Sequence, residues 1–516
     1  MKTMIAGRFF WLSLLLLTPR FGWTATPDLA PSTKEQDKGK SSAAAIAPII
    51  DEKPVVSHHK ITLSGKALSY TATAAQMPIN NDKGEPEAHI FYTAYTLDGV
   101  ADISKRPVTF AFNGGPGAAS IWLHMGAMGP RKVKLLDNGD MPPPPFKLVD
   151  NEFTWLGETD LVFIDPVGTG YSRAKTLEAK RKFSGVKGDL QSIGEFIRMY
   201  LSRNERWVSP LFIAGESYGT FRAAGLAGTL ADKGIAVNGI VMISTVLNFG
   251  MLHQGLSDGL PYALYLPSYT AAAWYHKKLP PDLQKDLKAT LKEVEQWTMA
   301  EYLPALNQGD KLPPAGRKEV IEKLARYTGL STTYIDNSEL KVESSHFSRE
   351  LLRGKKLSIG GYDARLTCPA PLSASATGEV DPSDSLIMPP FTSTFQHYMR
   401  TELGYKTDMV YLVEGDLMPW DWSATNNYAD SGHMLRGAFT KNPHLKLLVC
   451  SGYYDLVTPY FTVEYTLDHL GLHPSMQQRI SRRYYEAGHM MYINRESHRV
   501  LQRDITEFIT KAVPQS

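Results

Sequence analysis

The pentapeptide Gly215-Glu216-Ser217-Tyr218-Gly219 places a serine between two glycines, after the apolar run Pro210-Leu211-Phe212-Ile213-Ala214. An Ala/Gly-rich helical pattern follows, from Phe221 to Leu230. In a strand–turn–helix of this form the glycines let the two elements pack around a sharp turn, which lifts the serine oxygen above the sheet. A serine hydroxyl becomes an effective nucleophile only when a base takes its proton, and that base needs an acid to orient it. Two later segments offer those groups at strand ends. Leu447-Leu448-Val449-Cys450 leads into a loop bearing Asp455, and Tyr484-Tyr485 leads to His489 beside Gly488. Nδ1–H of His489 would bond Asp455 and leave Nε2 to accept the Ser217 proton. Asp165 also ends a strand pattern and is the second choice for the acid, but it precedes the serine and breaks the order serine, acid, histidine.

A second glycine cluster, Asn113-Gly114-Gly115-Pro116-Gly117, follows the apolar run Val108 to Phe112. Glycines allow backbone N–H groups to approach a reacting oxygen closely. Gly115 and Tyr218 are the expected oxyanion donors.

These groups need a sheet to align them. An antiparallel beginning is expected from Lys60-Ile61-Thr62-Leu63, Leu68 to Thr73 and Ile90 to Tyr95, with a turn at Asn80 to Gly84. Continuous apolar runs then alternate with helical patterns: Val108–Phe112, Leu161–Ile164, a helix over Leu190–Tyr200, Leu211–Ala214 and Ile240–Ile243. That alternation predicts an α/β chain with a mostly parallel, doubly wound sheet. Across 252–403 strand signals fade and helical stretches such as Asp282–Trp297 and Arg317–Tyr327 take over, as in an inserted, largely helical cap. Strands resume at Leu445–Val449 and Gln478–Tyr485, and a helix over Arg495–Lys511 closes the chain. The expected organisation is a signal peptide at 1–25, a flexible leader at 26–55, a first core part at 56–251, the cap at 252–403 and a second core part at 404–516.

The chain has 516 residues and a net charge of +2, without a long basic run, which argues against nucleic acid as a partner. Lys2 and Arg8 precede the short apolar core Phe9 to Leu17, with small residues near Ala25, as in a secretory signal. An uncleaved anchor is the alternative, and no stable span is expected once the signal is removed. A periplasmic or secreted location follows. With only Cys368 and Cys450 the protein must be held by its core. Cys450 fits a buried small hydrophobe, and a Cys368–Cys450 bridge is the other reading. No metal cluster, dinucleotide fingerprint or P-loop is evident, so no cofactor is expected.

Taken in order, Asn113-Gly114-Gly115-Pro116-Gly117, Asp165-Pro166-Val167-Gly168-Thr169-Gly170-Tyr171-Ser172, Gly215 to Gly219, Ser451-Gly452-Tyr453-Tyr454-Asp455-Leu456-Val457 and Gly488-His489-Met490 resemble the serine carboxypeptidase (S10) family of α/β-hydrolases, in a bacterial branch. The resemblance runs from about Lys60 to Lys511 and is weakest in the cap. It implies an α/β-hydrolase fold, Ser217, Asp455 and His489 as the triad, and Gly115 and Tyr218 as oxyanion donors. It further implies Asn113 and Glu216 as partners of a substrate's terminal carboxylate, with Gly114 beside them. Tyr171 is implied near the site for the side chain before the scissile bond. Two carboxylates pair only when one is protonated, so a protonated Glu216 donating to the substrate would favour acid pH; local packing is the other reading of that residue.

The sequence departs from the family at several points. The family's usual second glutamate is missing from Met125-Gly126-Ala127-Met128-Gly129-Pro130. Ala118 and Ala111 stand where a Cys and a Trp are common, Met490-Met491-Tyr492 lacks the usual proline, and the family's disulfides cannot form with two cysteines. The expected activity is removal of C-terminal residues from peptides with a free C-terminus. An esterase or acyltransferase would use the same acyl-enzyme. A non-catalytic binding protein on the same scaffold is a third reading, and the intact serine, acid and histidine argue against it.

Overall fold

A computed structural model describes residues 53–513 apart from 371, 373 and 379. The expected signal peptide and nearly all of the expected leader lie outside the described residues.

The chain opens as an antiparallel meander of β1 (Val55–Leu63), β2 (Lys66–Asn80) and β3 (Pro86–Leu97). Ser64 and Gly65, both at positive φ (49° and 80°), close the first hairpin. That conformation matches the right-handed twist of the flanking strands. β1 begins five residues before the expected Lys60, because His58 and His59 extend the pairing to Thr71 and Tyr70 although neither is a typical strand residue. The longer strands that complete this sheet are β4 (Val108–Phe112), β5 (Asp160–Ile164), β6 (Leu211–Ser217), β7 (Gly239–Thr245), β8 (Lys446–Gly452) and β9 (Ile480–Tyr485). Their order across the sheet is β1-β2-β3-β5-β4-β6-β7-β8-β9, with the short segment Arg173–Ala174 paired to β3 as a tenth strand. From β5 to β9 every pairing is parallel. β4, β5 and β7 are buried along their whole length, as strands covered on both faces must be.

The helices that bear on the site are α1 (Val186–Arg203), α2 (Tyr218–Asp232), α3 (Leu260–Tyr275), α4 (Met388–Thr401), α5 (Gly432–Lys441) and α6 (Arg495–Ala512). On one face of the sheet Ile193, Phe196, Phe221, Leu226 and Leu435 of α1, α2 and α5 pack on Phe110, Ile213 and Met242. On the other, Phe391 and Phe395 of α4 and Leu501 and Ile505 of α6 pack on Ala214, Val241 and Leu448. Thus α4, within the expected cap, belongs to the core beneath the sheet.

The helical insertion has its own core, in which Leu266 and Tyr269 of α3 meet Leu291, Trp297, Tyr327 and Phe347. Tyr269 stacks on Phe347 with ring centroids 4.1 Å apart. Tyr454, Leu456 and Tyr460, from the segment after β8, join the same cluster. The insertion therefore grips the loop that carries Asp455. Cys450 is buried within β8, and no disulfide joins it to Cys368, which lies in the small strand pair of the insertion. Among the described residues no helix is long and apolar enough to cross a membrane.

Candidate active site

Ser217 ends β6 and immediately precedes α2, with φ 59° and ψ −129°. A non-glycine residue at positive φ is strained and persists only when its surroundings over-determine it. Here they do. The Thr220 hydroxyl donates to the Ser217 carbonyl at 2.7 Å and accepts the Val246 N–H at 2.9 Å, which ties the turn to the end of β7. A Cβ on Gly219 would lie 2.8 Å from the Phe112 carbonyl oxygen and 2.9 Å from that of Asn113, so only glycine lets the helix start press against the end of β4.

Asp455 and His489 follow β8 and β9 and are both buried. His489 Nδ1 lies 2.7 Å from Asp455 Oδ2. The other carboxylate oxygen accepts the N–H groups of Val457 (2.8 Å) and Thr458 (2.9 Å), and the Thr458 hydroxyl donates to Oδ2 at 2.7 Å. Asp455 is thus fully engaged as an acceptor and holds the imidazole edge-on. Burial pushes the His489 imidazolium toward losing its proton, but the charge and hydrogen bond of Asp455, with a contribution from Glu216, outweigh it, and the net shift is upward.

β7 carries a bulge at Ser244, whose hydroxyl donates to the His489 carbonyl at 2.5 Å. Its neighbour Thr245 is registered against Ser217. Through that bulge the histidine loop and the serine share one rim. Among the described residues no hydrogen bond yet joins Ser217 to His489, and such contacts commonly tighten only when substrate is bound. The insertion adds a clamp: the Tyr362 carbonyl accepts the His489 N–H at 2.6 Å, the Tyr362 ring meets the imidazole edge-to-face at 5.1 Å, and the Gly361 carbonyl accepts the Leu456 N–H at 2.9 Å. Residues 361–364 therefore bridge the acid and base loops.

The glycine cluster lies against the serine turn. A Cβ on Gly114 would fall 2.5 Å from the Tyr218 nitrogen and 2.7 Å from the Glu216 carbonyl oxygen. Gly115, at φ 96°, follows directly. Asn113 is buried, donates from Nδ2 to Glu216 Oε1 at 3.2 Å and accepts the Leu123 N–H at 3.0 Å. Glu216 is 3% exposed and its Oε2 has no hydrogen-bond partner. Burial pushes its carboxyl up to about 7, with Asp455 adding to the shift and His489, Tyr492 and Asn113 opposing it.

Tyr171 is buried among Phe91, Tyr405 and Tyr411 rings, and its hydroxyl donates to Gln396 at 3.3 Å. Asp165 bonds neither Ser217 nor His489: its Oδ1 accepts the Ser120 N–H at 2.9 Å and the Tyr411 hydroxyl at 3.2 Å, and burial pushes its carboxyl up to about 7.

Four participants escape a reading of the sequence by motif: Arg222, Asp189, Thr458 and Tyr492. Arg222 and Asp189 form a buried ion pair at 2.8 Å. The Tyr218 hydroxyl donates to the same carboxylate at 3.1 Å. The available signal was a lone arginine inside the Ala/Gly-rich helix, where a solvated charge would have no reason to sit among small apolar neighbours. Thr458, three residues after Asp455, has the spacing of a local side-chain turn.

The profile of the serine carboxypeptidase family matches residues 79–502. The chain belongs to the serine carboxypeptidase family. Among curated relatives, serine carboxypeptidase-like 13 of Arabidopsis thaliana is 30% identical over 137 residues, 26% of this chain and 30% of that protein. Serine carboxypeptidase-like 35 of the same plant is 27% identical over 190 residues, 35% of this chain and 38% of that protein. These alignments thus span about a third of the relatives' length. A crystal structure of Kex1, a prohormone-processing carboxypeptidase from Saccharomyces cerevisiae, superposes with a TM-score of 0.50 at 16% identity, covering 86% of this chain and 91% of that one. At that identity the likeness speaks for the α/β-hydrolase fold of this serine carboxypeptidase family member.

Proposed function

We propose that this protein is an exported serine carboxypeptidase that removes C-terminal residues from peptides through an acyl-enzyme on Ser217. The carrying observation is the buried Asp455–His489 pair, 2.7 Å apart, on the rim where a strained serine ends β6. In this reading His489 Nε2 takes the Ser217 proton as Oγ attacks the scissile carbonyl. It then returns that proton to the leaving amine, and the same sequence with water releases the acid. Asp455 fixes the tautomer and stabilises the imidazolium. The N–H groups of Gly115 and Tyr218 receive the developing oxyanion, and Asn113, Gly114 and Glu216 face the substrate's terminal carboxylate, with Tyr171 in the wall near the preceding side chain.

Family membership supports peptides as the substrates. The basic start and apolar run Phe9 to Leu17 support export to the periplasm or medium. The test is hydrolysis of a peptide set with free and amidated C-termini. Amidation removes a charge-assisted hydrogen bond and is expected to cost about 1.5–3 kcal/mol in kcat/KM. Ser217→Ala is expected to lose on the order of 10³-fold or more in kcat and all labelling by a fluorophosphonate. Equal rates on both peptide sets would reject the carboxypeptidase and favour an esterase or acyltransferase.

A further inference from the structure

Two buried polar atoms at the floor of the site are unsatisfied, and they are complementary. Glu216 Oε2 and the Tyr492 hydroxyl face each other, near enough for each to shift the other's titration, but neither reaches hydrogen-bond geometry with any group, and both residues are 3% exposed. Tyr492 lies three residues beyond His489, in the short turn Met491–Ile493, and its hydroxyl faces Glu216 and Asn113 together. Its ring occupies the space over Gly126: a Cβ there would fall 2.6 Å from Tyr492 Cε2 and 2.9 Å from Cδ2. The buried turn Leu123–Met128 accordingly contributes no side chain at that point, and it contains no acid. Buried polar groups are nearly always paired, so an unpaired donor and acceptor converging beside a nucleophile have the form of a site awaiting a ligand.

We propose that Tyr492 is a substrate-binding residue, the third donor of the terminal-carboxylate site beside Asn113 and Glu216. The assignment rests on the carboxypeptidase reading above and extends it. A carboxylate brings two oxygens with several lone pairs and requires several donors. Asn113 Nδ2 and the Tyr492 O–H can donate at any working pH, because burial and the neighbouring Glu216 hold the phenol well above its ordinary range. Glu216 donates only when protonated. The charged or titratable groups facing it are His489, Asp455 and Tyr492, and of these the phenol is a neutral donor that favours the carboxylate form. Tyr492 therefore has two effects: it binds the ligand, and it sets where Glu216 loses its proton.

The test is Tyr492→Phe in the full chain, which keeps the ring over Gly126 and removes only the oxygen. An N-blocked dipeptide with a free C-terminus is compared with its C-terminal amide and with a p-nitrophenyl ester that carries no carboxylate. KM for the free acid is expected to rise about tenfold, with a much smaller loss on the ester. The upper pH limit of kcat/KM on the free acid is expected to move to higher pH, since Glu216 without the phenol holds its proton longer. Equal losses on acid and ester, or an unmoved pH profile, would overturn the assignment while leaving the carboxypeptidase reading intact. Failure of the unmodified protein to distinguish the free acid from its amide would overturn both.

Discussion

Arg222 donates from Nη1 to the backbone carbonyl of Asn113 at 2.6 Å while its Nε holds Asp189 at 2.8 Å. The helix α2, which directly follows β6, thereby pins the loop that begins the glycine cluster, through a charge with 1% exposure. The guanidinium also lies over the Phe112 and Tyr218 rings, at 5.0 and 5.1 Å. One side chain thus contacts the end of β4, the residue after Ser217 and the start of the glycine cluster.

Removing one partner of such a pair leaves an uncompensated buried charge. Arg222→Leu is expected to destabilise the fold by about 3–5 kcal/mol. The double variant Arg222→Leu with Asp189→Leu is expected to recover part of that loss, because neither charge remains. Urea unfolding of the wild type, both singles and the double variant measures the coupling. Additive losses would show that the pair acts only through packing.

The close approach at Gly114 gives a sharper test of the oxyanion assignment. An added methyl would sit 2.5 Å from the Tyr218 nitrogen, against backbone that has no flexible end to move aside. Gly114→Ala is expected to push the two donor loops apart, lowering kcat by on the order of 10²-fold and, because the clash is with backbone, lowering the unfolding midpoint as well. A change confined to KM would instead place Gly114 in ground-state binding.

Asp455→Asn tests the orienting acid through pH. Asp455 is what holds the His489 imidazolium above its ordinary range against the opposing effect of burial. Without that charge the histidine loses its proton at lower pH, so the acid limb of kcat/KM is expected to move downward. The maximal rate should nevertheless fall by on the order of 10⁴-fold, since an amide does not fix the required tautomer. The pH–rate profile of the residual activity checks the direction, and an unmoved limb would assign it to another group.

The parts of this site that were legible in the sequence are those whose contacts are local. Ser217, Asp455 and His489 each follow an apolar strand, and a strand end in a parallel sheet predicts its own position on the rim. The antiparallel opening and the helical insertion were legible for the same reason, through alternation and its loss. What escaped was set by contacts distant in sequence. The α4 pattern of Phe391, Phe395, Tyr398 and Met399 is amphipathic whichever partner it meets, so nothing local says that it lies beneath the sheet and not in the insertion. Likewise nothing near Gly361 and Tyr362 in the sequence shows that their carbonyls hold Leu456 and His489, about a hundred residues further on. The small apolar neighbours of Arg222 hint at burial, but its partner Asp189 lies a full helix earlier in the chain and nothing local pairs the two.

Glu216 links the chemistry of the site to the stability of the fold. Burial is the first cause of its rise from 4.5 to about 7, with Asp455 reinforcing it and His489, Tyr492 and Asn113 opposing it. Between those values the native protein retains a proton that the unfolded chain has released. Stability therefore falls as pH rises through this window and levels off above it, by roughly 3 kcal/mol in all. His489 has the same sign: its raised folded value contributes stability that is present below about 6.5 and is lost as pH rises through the folded value. Because the two groups interact, their protons come off as a pair, and a single variant shows how much belongs to the carboxyl. Glu216→Gln is neutral at every pH and keeps a donor toward a substrate carboxylate. It is expected to be more stable than the wild type at about pH 8 and nearly equal to it at about pH 4.5, with the upper limb of kcat/KM on free-acid peptides flattened. Urea midpoints across that range measure the first effect and steady-state rates the second. Parallel stability curves for the two proteins would mean that Glu216 is already ionised throughout the window and cannot donate to the substrate.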